Sequence, residues 1–140
     1  TEFKDQEAML GKVLDVLPVT SMLIDRNGIG SQLAENVSAK YPQAEGVNFT
    51  NETKGLWAIE AKLRAQRGEV PIPLERDLAY QIHSIRKKVT SAGNSQFDND
   101  ANDKHHADMF WAWALAIWAG KTDGFTTVTE GEAPFGEDWR

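Results

Sequence analysis

The sequence predicts an α/β fold, a mixed sheet flanked by helices, and three observations predict it. Val19-Thr20-Ser21-Met22-Leu23-Ile24 is an apolar run that stops at Asp25 and leads through Gly28 and Gly30 into a helical pattern. This reads as a strand, a tight turn and a helix. Residues 85–97 fold about Ser91-Ala92-Gly93-Asn94 as a hairpin, and the almost wholly apolar stretch up to Ala119 reads as a buried helix that closes the core.

The elements follow in order. Phe3, Leu10, Val13, Leu14 and Leu17 recur at helical spacing until Pro18 stops the first helix before the Val19 strand. Leu33, Ala34 and Val37 mark a second helix, broken by Pro42 and Gly46, and Val47-Asn48-Phe49 is expected as a short strand that completes a parallel βαβ unit. Thr50 or Asn51 caps a long helix whose Leu56, Ile59, Ala61 and Leu63 are expected to face inward until Gly68 ends it. Val70-Pro71-Ile72-Pro73 is extended, and its prolines confine it to an edge or a loop. A brief helix over 74–84 precedes strands at 85–90 and 95–97, and the last helix is expected from about residue 105 to 119.

A chain of 140 residues, 41% hydrophobic and 26% charged, has the size and apolar content of one domain. That domain is expected over 1–119, with 120–140, bearing Gly124, Gly131, Pro134 and Gly136, as a flexible tail. With no cysteine and three histidines, disulfides, thiolate zinc sites and a histidine-rich metal store are excluded; a metal site would be oxygen-rich, which favours magnesium or manganese. No apolar run approaches the ~20 residues of a membrane span, so a soluble, cytosolic protein is expected. The net charge of −6 argues against nucleic-acid binding by the whole surface but not by a local basic strip.

Two acids stand out. Asp108 lies in His105-His106-Ala107-Asp108-Met109-Phe110-Trp111-Ala112, several residues into the expected apolar helix. An ionised carboxylate in such a setting costs roughly several kcal/mol unless compensated, which suggests a metal ligand. The alternative is an acid that favours a helix start through the dipole. Asp25 stands at the carboxyl end of a strand, the edge where ligands bind in open α/β sheets. Its alternative role is that of a turn residue bonded to the backbone before Asn27-Gly28.

In order along the chain, Ile24-Asp25-x-x-Gly28-x-Gly30, Phe49-Thr50-x-x-Thr53-Lys54, Ile85-Arg86-Lys87-Lys88-Val89-Thr90 and His106-Ala107-Asp108-x-Phe110-Trp111-Ala112 form a set that resembles the C-terminal nuclease domain of the large terminase subunit of tailed phages, most of all those of Mu-like prophages. The resemblance covers roughly residues 19–119. It implies an RNase H-like fold and metal-dependent cleavage of double-stranded DNA during genome packaging, with two Mg2+ or Mn2+ ions in the complete domain. It also implies an upstream ATPase motor domain, a small terminase subunit and the portal of the prohead as partners, in the cytoplasm of the bacterial host.

Under this resemblance Asp25 matches the acid at the end of the central strand, Asp108 the acid of the last helix, and His106 the histidine two residues before it. The remaining acid of the family lies on the first strand of an early hairpin, and nothing before Val19 matches that strand, so the fold is expected to lack its first strands. Two-ion hydrolysis uses metals about 3.5–4 Å apart. A site short of one bridging carboxylate is expected to hold at most one ion well, and the chain alone to be a weak or inactive nuclease. No Gly-rich loop ending in Gly-Lys-Thr or Gly-Lys-Ser is present, so these residues are not expected to hydrolyse ATP.

His83, Arg86, Lys87 and Lys88 are candidates for phosphate contacts along a DNA groove; the alternative is a solvated hairpin face. Gly28-Ile29-Gly30 has Leu33 where a dinucleotide fingerprint needs its third glycine. Asp98, Asp100 and Asp103 lack the glycine and closing glutamate of a calcium loop. Trp57, Trp111, Trp113 and Trp118 are expected to pack rather than to stack on bases, and Phe125, Phe135 and Trp139 belong to the tail. Two rivals to the nuclease remain: a resolvase or transposase fragment of the same fold, marked by preference for branched DNA or by strand joining, and a non-catalytic docking module of the packaging machine.

Overall fold

In the computed structural model, which describes residues 2–99 and 107–122, the protein is mixed α/β, with short strands in two small sheets. The chain divides into two compact units, Thr1–Phe49 and Thr50–Arg140.

In the first unit, helix α1 (Glu2–Val16) ends just before Pro18, strand β1 (Met22–Asp25) follows, then helix α2 (Gly30–Lys40) and strand β2 (Ala44–Val47). The strands are parallel, as the βαβ pattern requires, with Met22 opposite Ala44 and Asp25 opposite Val47. Leu14, Val37 and Ala44 form the core, with Leu10, Met22, Ile24 and Leu33 packed against it.

Two expectations are corrected here. β1 begins at Met22, not at Val19, and is half-buried. β2 is Ala44–Val47 rather than Val47-Asn48-Phe49. Gly46, expected to break the second helix, lies inside β2. A Cβ there would come within 3.1 Å of Ala34 Cβ and 3.2 Å of Arg26 Cδ, so glycine lets α2 approach the strand closely. Glu7 ties α1 to α2 by accepting from Lys40 Nζ at 2.7 Å and Asn36 Nδ2 at 3.1 Å, and these bonds hold its carboxyl below the usual carboxylate range.

In the second unit, helix α3 (Asn51–Gln66) starts with a capping box: Thr53 N–H donates to Thr50 Oγ1 at 3.1 Å and Thr50 N–H to Thr53 Oγ1 at 2.9 Å. It ends in a Schellman turn at Gly68, φ +67°, with Gly68 N–H donating to Ala65 O and Glu69 N–H to Arg64 O. Helix α4 (Arg76–Ser84), the antiparallel hairpin β3 (Ile85–Val89) and β4 (Ser95–Asn99), and helix α5 (Asp108–Thr122) complete the unit. In the hairpin Val89 faces Ser95 across the turn.

The inward face of α3 is also corrected. Ala61 is buried, but Leu56, Ile59 and Leu63 are 50%, 46% and 39% exposed, while Trp57, Ala58 and Ala65 are buried. Helix α5 packs on α3, and its bulky Phe110, Trp111 and Trp113 are buried. The alanines of α3 give such side chains room that a leucine face would fill.

Helix α5 begins at Asp108, about three residues later than expected, and runs into the segment assigned to the tail. Ala107, just before it, is buried at φ +54°, a left-handed conformation that a side chain disfavours. No Ser, Thr or Asp stands there to cap the helix; instead Gln81 of α4 reaches across, its Oε1 accepting from Phe110 N–H at 3.0 Å. Gln81→Leu is expected to lower the unfolding free energy by about 1 kcal/mol in urea titrations, the usual worth of a cap, and Gln81→Glu, which keeps the acceptor, to lower it less.

Candidate functional site

Asp25 closes β1 at the carboxyl end of the parallel pair, and it is exposed. Its Oδ1 accepts from Asn27 N–H at 2.8 Å, the turn bond named above as its alternative role. That bond leaves Oδ2 without a hydrogen-bond partner among the described residues. The turn is held from outside as well. Asn27 Nδ2 donates to Phe49 O at 2.9 Å while Phe49 N–H donates to Asn27 Oδ1 at 3.3 Å, joining the loop after β1 to the segment after β2. Gly28 takes φ +56°, and Gly30 opens α2 so close to β1 that a Cβ on it would lie 2.3 Å from Asp25 O. The carboxylate therefore stands on a fixed backbone with one oxygen bonded and the other open.

Asp108 is the first residue of α5 and is exposed. The expectation that it sits several residues into an apolar helix is corrected: it projects from the first turn, where its charge complements the helix dipole. The desolvation argument for a metal therefore no longer applies to it. Its candidacy rests on position, at the head of a helix whose next turn is packed into the core. His105 and His106, with Asp100 and Asp103, lie outside the described residues.

The basic candidates occupy different faces. Arg86 pairs with Asp98 and Lys88 with Gln96 on one face of the hairpin, whereas Lys87 pairs with Phe97 on the other, the face turned toward Gly55 of α3. Arg86 and Lys87 are exposed, Lys88 is half-buried, and His83 is exposed in the last turn of α4. The three hairpin cations therefore do not form one strip. The sequence reading missed two other arrangements. Lys54 Nζ lies over the Trp111 ring, 4.7 Å from its centroid. Glu60 accepts from Arg64 Nε at 2.9 Å and Lys121 Nζ at 3.3 Å, linking α3 to the end of α5. The Arg64 bond, helped by Lys121, holds the Glu60 carboxyl below the usual carboxylate range against the opposing effect of partial burial.

Among the described residues, no three of His, Cys, Asp and Glu come together as a metal-ligand set. Each unit by itself offers a hard cation carboxylate oxygen, the first at the open Asp25 Oδ2 and the second at the exposed Asp108. Gly120-Lys121-Thr122 has the letters of a nucleotide-binding loop's end but lies in the last turn of α5, with Lys121 bonded to Glu60 and its ammonium 4.9 Å from the Trp118 ring centroid. A phosphate cradle needs that lysine ahead of a helix N-terminus.

Comparison with characterised proteins finds similarity to the terminase ATPase subunit of Escherichia phage P2, 28% identical over 119 residues, which are 83% of this chain and 20% of that protein. The chain thus spans about a fifth of the length of the relative it matches. No family model and no solved structure matches it. The similarity supports a terminase relationship.

Proposed function

We propose that this chain is part of the nuclease domain of a phage DNA-packaging terminase, of RNase H-like fold, in which Asp25 and Asp108 are ligands for Mg2+ or Mn2+. The observation that carries the reading is the open carboxylate of Asp25, fixed by a glycine turn at the carboxyl end of a parallel pair. The terminase similarity supports it.

The ions would supply activation of water and stabilisation of the leaving oxygen in phosphodiester hydrolysis. Asp25 and Asp108 would hold them, and His106 is assigned to the leaving group or a phosphate. Of the basic candidates His83, Arg86, Lys87 and Lys88, the pair Arg86 and Lys88 shares one hairpin face and bears on the duplex through phosphates rather than bases. The partners of this role are double-stranded DNA, an upstream ATPase motor domain, a small terminase subunit and the portal, in the host cytoplasm. No helix among the described residues is long and apolar enough to cross a membrane.

The test is nicking of supercoiled plasmid in Mn2+ by a longer protein in which this chain follows the acid-bearing hairpin of such nucleases. Cleavage by that longer protein, lost in Asp108→Asn with the helix content unchanged, is the expected outcome. Cleavage equal in the two proteins, or none in either, would remove the nuclease reading. The docking module would then lead, favoured by the exposed Leu56, Ile59 and Leu63 on α3.

A further inference from the structure

Thr53-Lys54, part of the ordered set in the sequence, has no role in the chemistry proposed above. Lys54 is the fourth residue of α3, inside its first turn. A cation there faces the positive end of the helix dipole, a placement that the dipole disfavours. Among the described residues, no carboxylate lies within ion-pair distance of it. Its ammonium instead lies 4.7 Å from the centroid of the buried Trp111 ring. An aromatic face attracts an ammonium without neutralising it, so the charge is held in place and stays available to a ligand.

Trp111 stands one turn beyond Asp108 on α5, and residues at i and i+3 are neighbours on a helix surface. The ring that pins the Lys54 ammonium thus belongs to the helix-surface neighbour of an exposed acid. A phosphodiester approaching the acid brings negative charge against negative charge, and a fixed cation one turn away opposes that repulsion. Lysine acts on phosphate as a compact point charge, a contact that carries no sequence preference.

We propose that Lys54 is a phosphate-contacting residue beside Asp108, its Nζ donating to a non-bridging oxygen of the DNA backbone while Trp111 holds the ammonium in position. This deepens the nuclease reading and rests on it for the identity of the ligand as DNA.

The test is fluorescence anisotropy of a short labelled duplex, in calcium and over a series of KCl concentrations, with the 140-residue chain and its Lys54→Ala, Lys54→Met and Lys54→Arg variants. Lys54→Ala and Lys54→Met are expected to weaken binding about five- to tenfold at low salt and to reduce the slope of log affinity on log salt by about one, while Lys54→Arg keeps both. Met retains an aliphatic stem over Trp111, so a loss shared by Ala and Met reports charge rather than packing, and circular dichroism verifies folding. Unchanged affinity and slope in both variants overturns the proposal, and so does a wild-type chain that does not bind the duplex.

The nuclease reading is judged separately, by Mn2+-dependent cleavage in Asp108→Asn. Intact cleavage there, with the Lys54 slope still reduced, leaves Lys54 as a DNA contact and removes the role of Asp108. Lost cleavage with unaltered Lys54 binding does the reverse.

Discussion

Gly30→Ala is expected to destabilise the first unit by about 3 kcal/mol or more, the upper range for a substitution that forces atoms into a filled space. The added Cβ would lie 2.3 Å from Asp25 O and 3.3 Å from Asp25 C. Both are backbone atoms, so no side chain can rotate away, and the turn between β1 and α2 has to open. Opening it pulls Asn27 from its two bonds to Phe49 and displaces the residue that carries the candidate carboxylate. Gly28→Ala is the control. Its φ is +56°, yet nothing lies within 4 Å of the added atom, so only the left-handed backbone is penalised, by about 1 kcal/mol. Urea unfolding of the two variants separates a steric cause from a conformational one: equal losses, or the smaller loss at Gly30, would mean that the turn yields and that the carboxylate is not rigidly held.

The elements that were legible in the sequence are those with chemical punctuation. Pro18 ends α1, Thr50 opens α3, Gly68 closes it and Gly93 turns the hairpin, and each acts through a backbone property of one residue. The βαβ unit was legible for the same reason, since a strand, a glycine turn and an amphipathic helix leave the second strand few alternatives to a parallel partner. Faces were not legible where two stripes compete. On α3 both Leu56-Ile59-Leu63 and Ala58-Ala61-Ala65 recur at helical spacing, and hydrophobicity favours the leucines. The alanines are buried because α5 brings tryptophans and a phenylalanine to that side, a fact about a distant segment that no local window contains.

The candidate site divides along the same line. That Asp25 ends a strand could be read from its neighbours, and so could its turn bond. Asp108 was placed too deep because the helix start depends on Ala107 turning left-handed and on Gln81 capping from another helix. The Lys54 and Trp111 pairing joins residues far apart in sequence. Its only local sign is a lysine at a helix start, where the dipole does not favour one.

Asp25→Asn is the substitution with the largest expected functional effect, because it separates the two roles open to that residue. Asparagine keeps an Oδ1 that accepts from Asn27 N–H, so the turn bond survives and stability is expected to change by less than about 0.5 kcal/mol. What is lost is the negative charge that a divalent ion requires. If Asp25 ligates metal, calorimetric titration with Mn2+ should show affinity lower by about a hundredfold or more, and cleavage by the longer protein should fall by roughly a thousandfold, the equivalent of about 4 kcal/mol of transition-state stabilisation. Asp25→Ala removes the turn bond too, and should add a stability loss of about 1 kcal/mol to the same functional loss. A residue that served only the turn would behave in the opposite way: Asn would be silent in both titration and cleavage, and only Ala would register, through stability. The pair of variants thus reads charge and hydrogen bond independently at one position. Metal binding lost in Asn at unchanged stability is the result that the nuclease reading requires.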